Sequence, residues 1–364
     1  MIRTIRLNIF TIAVILICLG IIMIYSASSI YAWERYQDNF FFLKRHLSFV
    51  LIGLLCMLAV MGVDYRRLRR WSGPMLGIAI ILLILVLIPG IGREVAGARR
   101  WFRFKILSFQ PSEFANLAVI IYVADFIARK DKMLKSFLRG FIPPLIVLGF
   151  VSVLILAQPD LGTTVALSVV VCIMMFVGGI RLRYLAGMAL AALPALYLLI
   201  FNVPYRRMRI MAFVNPWLDP KGSGFQIIQS QIALGSGGIL GTGLGLSKQK
   251  LFYLPAAHTD FIFSIIGEEL GLIGTLAVVI LFVLLIQQGI KIIKNAPDKF
   301  SYFLSLGLVS MISLKAVINI GVSCGVLPTK GLPLPFISYG GSSLVFDMVS
   351  LGLLINIART GDYP

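Results

Sequence analysis

The stretch from Leu7 to Tyr25 is almost continuously apolar, and runs of the same kind recur to the end of the chain. At roughly 17 to 25 residues, each is long enough to carry a helix across a hydrocarbon core of about 30 Å. Lipid leaves two architectures, helices and closed barrels, because every backbone polar group must be satisfied inside the protein. Barrel strands alternate apolar and polar residues, and these runs do not. With 59% hydrophobic and 13% charged residues over 364 positions, the chain reads as an all-α polytopic membrane protein. The first run follows Arg3 and Arg6 as a signal peptide would. Its apolar length exceeds a usual leader core and a second span follows closely, so it reads as a retained helix.

About ten spans are expected, centred near Ile17, Leu54, Leu83, Val119, Val151, Val170, Leu193, Val278, Leu308 and Leu353. An even number puts both termini on one side. Short loops carrying Arg66, Arg67, Arg69 and Arg70, then Arg129, Lys130, Lys132, Lys135 and Arg139, make that side cytoplasmic by the positive-inside rule. The other side also holds cations, among them Arg93, Arg99, Arg100, Arg206, Arg207, Arg209, Lys248 and Lys250. Basic residues there work against the usual bias, which suggests a purpose such as holding an anion. The formal net charge of +18 suits contact with anionic membrane lipids or a phosphorylated lipid substrate.

The chain reads as one membrane domain, 1–364, with a large extracytoplasmic loop at about 202–260 between the seventh and eighth spans. That loop holds enough apolar residues to fold back onto the bundle. Its glycine-dense part, Gly235 to Lys250, lacks the βαβ setting and the Walker lysine of a nucleotide site, and no nucleic-acid partner is expected. Cys18, Cys56, Cys172 and Cys324 lie in or beside apolar runs and read as small buried hydrophobes. Two histidines, His46 and His258, exclude a histidine-rich metal site.

Polar groups that could do chemistry collect on the outer side. ARRWFRFKILSFQPSE supplies Arg99, Arg100 and Glu113, QPDLGTT supplies Asp160, KQKLFYLPAAHTD supplies Lys250, His258, Thr259 and Asp260, and GVLPTKGLPLPFISYGGSS supplies Lys330, Ser338 and Ser342. The Pro- and Gly-broken part of the last stretch, Pro333 to Gly341, cannot continue as helix. Such backbone is tolerated at membrane depth only inside protein or beside a watery cavity, which predicts an outward-facing cleft. Carboxylates and cations together suit transfer from an activated anionic donor, the cations steadying a leaving phosphate and a carboxylate taking a proton. Asp260, where water ends and an apolar run begins, is the best candidate base. It reads equally well as a helix N-cap. Glu268 and Glu269, further into the same span, are expected to be paired, with Lys315 as a possible counter-ion.

The motifs NPWLDPKGSGFQIIQSQIALGSGG, KQKLFYLPAAHTDFIFSIIGEELG and LPTKGLPLPFISYGGSS, with GARRWF, FQPSEFA and QPDLGT upstream, closely resemble the SEDS family of peptidoglycan glycosyltransferases. PTKGLPLPFISYGGSS is more similar to the family's division and sporulation members than to its elongation member. The resemblance implies polymerisation of lipid II into glycan strands at the outer face of the bacterial cytoplasmic membrane, at the division septum. It implies Asp260 as the base acting on the acceptor 4-hydroxyl, with inversion at the donor sugar. Arg99, Arg100, Lys250 and Lys330 would then neutralise the pyrophosphate, together with a divalent cation such as Mg or Mn. Glu113, Asp160, His258, Thr259, Ser338 and Ser342 are expected to handle substrate. Implied partners are a class B penicillin-binding protein transpeptidase and other divisome proteins. Two positions depart from the family pattern, Ala96 and Ser323, where Asn is frequent. The competing readings are a lipid II flippase and a scaffold without activity. Polar groups gathered at one face, with few charges at mid-membrane, favour the enzyme.

Overall fold

The computed structural model describes residues 2–360 except 96, 105–106, 252–253 and 256. Ala96, noted above, lies outside them. The helices are α1 (Ile2–Tyr36), α2 (Phe41–Gly62), α3 (Arg66–Leu87), α4 (Pro111–Arg129), α5 (Ile142–Ala157), α6 (Leu161–Val177), α7 (Leu182–Phe201), α8 (Pro204–Val214), α9 (Phe225–Ser236), α10 (Ile262–Lys294), α11 (Lys299–Ser323) and α12 (Ser342–Thr360). Among the described residues nine segments are long and apolar enough to cross a membrane, and α6 is apolar but shorter. Each of the expected span centres falls inside one of these helices. The long loop is folded, with α8 and α9 inside it.

One stretch departs from the all-helical expectation. Strands β1 (Arg93–Val95), β2 (Ala98–Phe104) and β3 (Leu107–Phe109) form a small antiparallel sheet between α3 and α4. ARRWFRF alternates, so Arg99 and Trp101 share one face while Arg100 and Phe102 take the other. The cluster of charge in this stretch hid that period.

Burial sorts the helices into a centre and a rim. In the apolar window of α4 83% of residues are buried, against 6% in α7, so α4 is the hub and α7 faces lipid. Helix α2 packs along α12, α3 along α4, and α11 against α10, α4 and α6. The cysteines correct their expected burial, since Cys18 and Cys324 are exposed and Cys56 and Cys172 half-buried, all with free thiols.

Interior charges are compensated. Lys315 Nζ on α11 lies 2.8 Å from Glu113 Oε2 on α4 and 3.0 Å from Asp347 Oδ1 on α12. The expected pairing of Lys315 with Glu268 or Glu269 is therefore wrong. A buried ammonium requires close anionic partners, and the neighbouring helices α4 and α12 bring two. Asp125 is likewise held by Arg69, Arg129 and the Ser72 hydroxyl.

Helix α10 breaks at Gly271, whose φ of 67° and ψ of −162° leave the helical region. A side chain there would meet the backbone of Gly241 at 2.4 Å and of Ile239 at 2.5 Å. The groups freed by the break are satisfied by the glycine-rich loop. Leu272 N donates to Gly238 O at 2.9 Å, and Thr242 N donates to Glu268 O at 2.9 Å. Glycines are dense here because two backbones touch. The two adjacent acids complete the seam. The Glu268 carboxylate accepts from Lys248 N at 2.8 Å and from the Ser247 hydroxyl, while Glu269 accepts from the Ser26 hydroxyl of α1 and the Lys250 ammonium.

Candidate active site

Asp260 ends a tight turn that enters α10, with its side chain half-buried. The helix N-cap is Phe261, without a side-chain capping bond. The capping reading of Asp260 is thus overturned: its carboxylate accepts no hydrogen bond from the described residues and keeps its lone pairs for something else. Its Oδ2 atom lies 3.5 Å from where a Cβ on Gly331 would stand.

The surroundings set its charge behaviour. Burial pushes the Asp260 carboxyl up, the guanidinium groups of Arg209 and Arg100 pull it down, Asp160 pushes it up again, and the group settles at about 6. Such a carboxylate is ionised near neutrality yet holds a proton more firmly than an ordinary one, as a general base requires.

Two arginines reach this region from different elements, and each is fixed by backbone carbonyls. Arg100 Nε donates to Gln158 O at 2.7 Å, with a further bond from Nη2 to Pro159 O. Arg209 Nη1 donates to Thr329 O at 3.2 Å, and its guanidinium stacks over Tyr205 at 4.4 Å, one helical turn earlier on α8. Lys330, next to Gly331, packs its stem against Gly162 at the start of α6. Its ammonium has no hydrogen-bonding or ionic partner among the described residues, and burial lowers its pKa. A half-buried cation without a counter-ion suits an anionic ligand.

Asp160 caps α6, accepting from Thr163 N at 3.2 Å and from the Thr163 hydroxyl at 2.9 Å. Gln110 Nε2 approaches it at 3.5 Å. His258 packs against Phe42, Tyr31 and Tyr339, and burial pushes it down to about 4, so the imidazole is neutral. Thr259 lies between His258 and Asp260 in the same turn.

Other expected substrate contacts are committed elsewhere. Lys250 is buried and paired with Glu269 at 2.9 Å, which leaves no ammonium for a phosphate. Glu113 is spent on Lys315. Arg99 points to the opposite side of β2 from Arg100 and pairs with Glu94. Ser338 closes its own turn by accepting from Leu334 N, and Ser342 joins α12 to the segment before α4 through Gln110 N and Ser108 O. Among the described residues no three His, Cys, Asp or Glu side chains come together. Protein ligands for a Mg or Mn ion are therefore not assembled around Asp260, and the positive charge of the site comes from Arg100, Arg209 and Lys330.

Sequence reasoning placed Arg209 only within a general basic set and overlooked Asn319. Buried on α11, Asn319 donates from Nδ2 to Asp260 O at 2.9 Å and to Leu332 O at 2.8 Å. Its one sequence signal is an amide inside a spanning segment, shared there with Lys315 and several serines and so not distinctive by itself.

Comparison with known proteins gives the chain's family and fold. The profile of the FtsW, RodA and SpoVE family, described as "Cell cycle protein", matches residues 6–363. The chain is 47% identical over 352 residues to a probable peptidoglycan glycosyltransferase FtsW of Geobacter metallireducens, covering 97% of this chain and 94% of that one. It is 45% identical to stage V sporulation protein E of Bacillus subtilis, covering 97% and 96%. A solved structure described as "Structural coordination of polymerization and crosslinking by a peptidoglycan synthase complex" superposes with a TM-score of 0.80 at 32% identity, covering 98% of both chains. Rod shape determining protein RodA of Thermus thermophilus superposes with a TM-score of 0.70 at 28% identity, covering 98% and 97%.

Proposed function

The chain belongs to the FtsW, RodA and SpoVE family of cell cycle proteins, and from that premise we propose that Asp260 is the general base of its sugar transfer. The protein is a membrane-embedded peptidoglycan glycosyltransferase that polymerises lipid II during cell division. The observation that carries the assignment of the base is its setting: a carboxylate with no hydrogen bond from the described residues, held near 6, under the influence of two guanidinium groups and against Gly331 of the loop that carries Lys330.

The chemistry follows from those charges. Asp260 accepts the proton of the acceptor's N-acetylglucosamine 4-hydroxyl as that oxygen attacks the anomeric carbon of the donor N-acetylmuramic acid. The new glycosidic bond forms on the face opposite the departing undecaprenyl pyrophosphate, so the configuration inverts. Arg100, Arg209 and Lys330 are placed to offset the charge that builds on the leaving diphosphate. His258, being neutral, adds shape and an aromatic wall. Asp160 orders the start of α6 and, by its own negative charge, keeps Asp260 basic. We further assign the chain, as a single membrane domain, to the bacterial inner membrane at the septum. There a class B penicillin-binding protein would crosslink its product and other divisome proteins would gather.

The interior favours an enzyme over a flippase. Lys315, Glu113, Asp347 and Asp125 are each tied to opposite charges, so they offer no free polar path for a diphosphate. Purified protein with its transpeptidase partner, given labelled lipid II, is expected to build glycan strands, and Asp260→Ala to build none. Strand synthesis by Asp260→Ala at the parental rate, or translocation of lipid II across liposomes without polymerisation, would remove this assignment.

A further inference from the structure

We propose that Asn319 is a positioning residue for the base, its one side-chain amide fastening the backbone of Asp260 to the loop that carries Lys330. This rests on the assignment of Asp260 above. The Nδ2 group has two hydrogens, and both are used, one on the Asp260 carbonyl at 2.9 Å and one on the Leu332 carbonyl at 2.8 Å. Neither carbonyl accepts a backbone N–H among the loop and cap bonds of the described residues. The amide is what satisfies them, and an amide that bridges two segments fixes their separation.

The anchor is stiff. Asn319 is 2% exposed and stands four residues along α11 from Lys315, on the same helical face. The ion pairs of Lys315 with Glu113 and Asp347 tie that part of α11 to α4 and α12. From this point the amide reaches to two backbone segments that meet at the carboxylate, the turn of Asp260 and the loop of Leu332. Gly331, between Lys330 and the clamped Leu332, lies against Asp260 Oδ2. Releasing the clamp lets the turn of Asp260 and the loop of Lys330 drift apart, which moves the base relative to the cations. The charged groups acting on that carboxylate are Arg100 on β2, Arg209 on α8 and Asp160 ahead of α6, while Lys330 lies one residue before Gly331 on the clamped loop and His258 two residues before Asp260. None of them makes a hydrogen bond or ion pair with Asn319 among the described residues, and Arg100, held by Gln158 and Pro159 outside both clamped segments, keeps its hold on a bound donor when Asn319 is changed.

A displacement of about 1 Å in a reacting group costs on the order of 100-fold in rate. Asn319→Leu, similar in size but without donors, is therefore expected to lower kcat by about 100-fold while KM for lipid II stays within about threefold. Water reaching the loosened turn would relieve the desolvation of Asp260, so the acid limb of the kcat/KM profile moves to lower pH. A residue needed only for folding would lower the melting temperature and the active fraction and leave that limb in place.

The experiment compares full-length parental protein, Asn319→Leu, Asn319→Gln and Asp260→Ala, each in complex with the transpeptidase partner, on lipid II across pH. Asn319→Gln keeps both donors on a longer arm, so an intermediate kcat and a smaller shift of the limb are expected, and this variant decides the matter if Asn319→Leu does not fold. Parental kcat with an unmoved limb in the folded variant overturns the inference. A dead Asp260→Ala beside an unaltered Asn319 variant removes the positioning role alone. Parental activity of Asp260→Ala removes the base assignment and this inference with it.

Discussion

Lys250 Nζ lies 2.9 Å from Glu269 Oε1, with the two side chains 4% and 0% exposed. This pair, with the Ser26 hydroxyl on the same carboxylate, pins the end of the glycine-rich loop to α10 and α1. Removing one partner leaves a buried charge without compensation, which costs about 3–5 kcal/mol. Lys250→Met and Glu269→Gln are each expected to lower the melting temperature strongly, and the double variant to recover part of the loss. Thermal melts in detergent check this. Additive losses in the double variant would contradict the pairing.

The two adjacent arginines of β2 are expected to behave differently. Arg99 makes an exposed pair with Glu94, worth about 0–1 kcal/mol. Arg99→Ala should leave both stability and polymerisation close to parental. Arg100→Ala removes a guanidinium that influences Asp260 and anchors the turn at Gln158 and Pro159, so it should cut kcat/KM by at least tenfold, an effect of about 1.4 kcal/mol. Steady-state kinetics on lipid II separates the two.

Activity and stability are expected to respond to pH in opposite directions. Asp260 works as a base only when ionised, so kcat/KM should rise with pH through about 6 and then level off. Its folded-state pKa lies above the ordinary value of 3.8, so the folded chain binds this proton more tightly than the unfolded one does. The Asp260 contribution therefore favours folding most at low pH and diminishes as pH rises from about 3.8 to about 6. Asp260→Asn is expected to melt above the parental protein at pH 8 and to lose that advantage at pH 4. An equal difference at both pH values would show that the carboxyl is not perturbed.

Gly271→Ala should destabilise the seam between α10 and the glycine-rich loop, because φ is 67° and a Cβ would enter backbone atoms of Gly241 and Ile239. Strain of that kind costs on the order of 1–3 kcal/mol before the steric clash is added. Gly73→Ala, where a Cβ meets nothing within 4 Å, is the matched control in α3. Melting temperatures that fall equally for both would refute the close approach.

What the sequence made legible follows from what lipid enforces. Apolar runs of spanning length can hardly be anything but helices, so α1, α2 and α11 could be placed in advance, and the proline-broken stretch around Pro333 reads as non-helical for the same reason. The strand β2 was hidden because a seven-residue alternation is weak beside a charge cluster that suggests a loop. The partners of buried charges were not legible either. Lys315 lies 46 positions from Glu269, much nearer in sequence than Glu113, yet the packing of α11 against α4 and α12 decides which acid it meets. Within the site, Asp260 was visible from its place at the edge of an apolar run, while Asn319 and Arg209 become distinct only when the backbones they touch are brought together.

The most direct test is a single-turnover measurement of glycosidic bond formation by Asp260→Asn in complex with the transpeptidase partner, alongside binding of lipid II to the same protein. The side chain keeps its size and loses its basicity. The expected result is a rate reduced by about 10²–10⁴ with lipid II still bound. A bond-forming rate within tenfold of the parental enzyme would contradict the account.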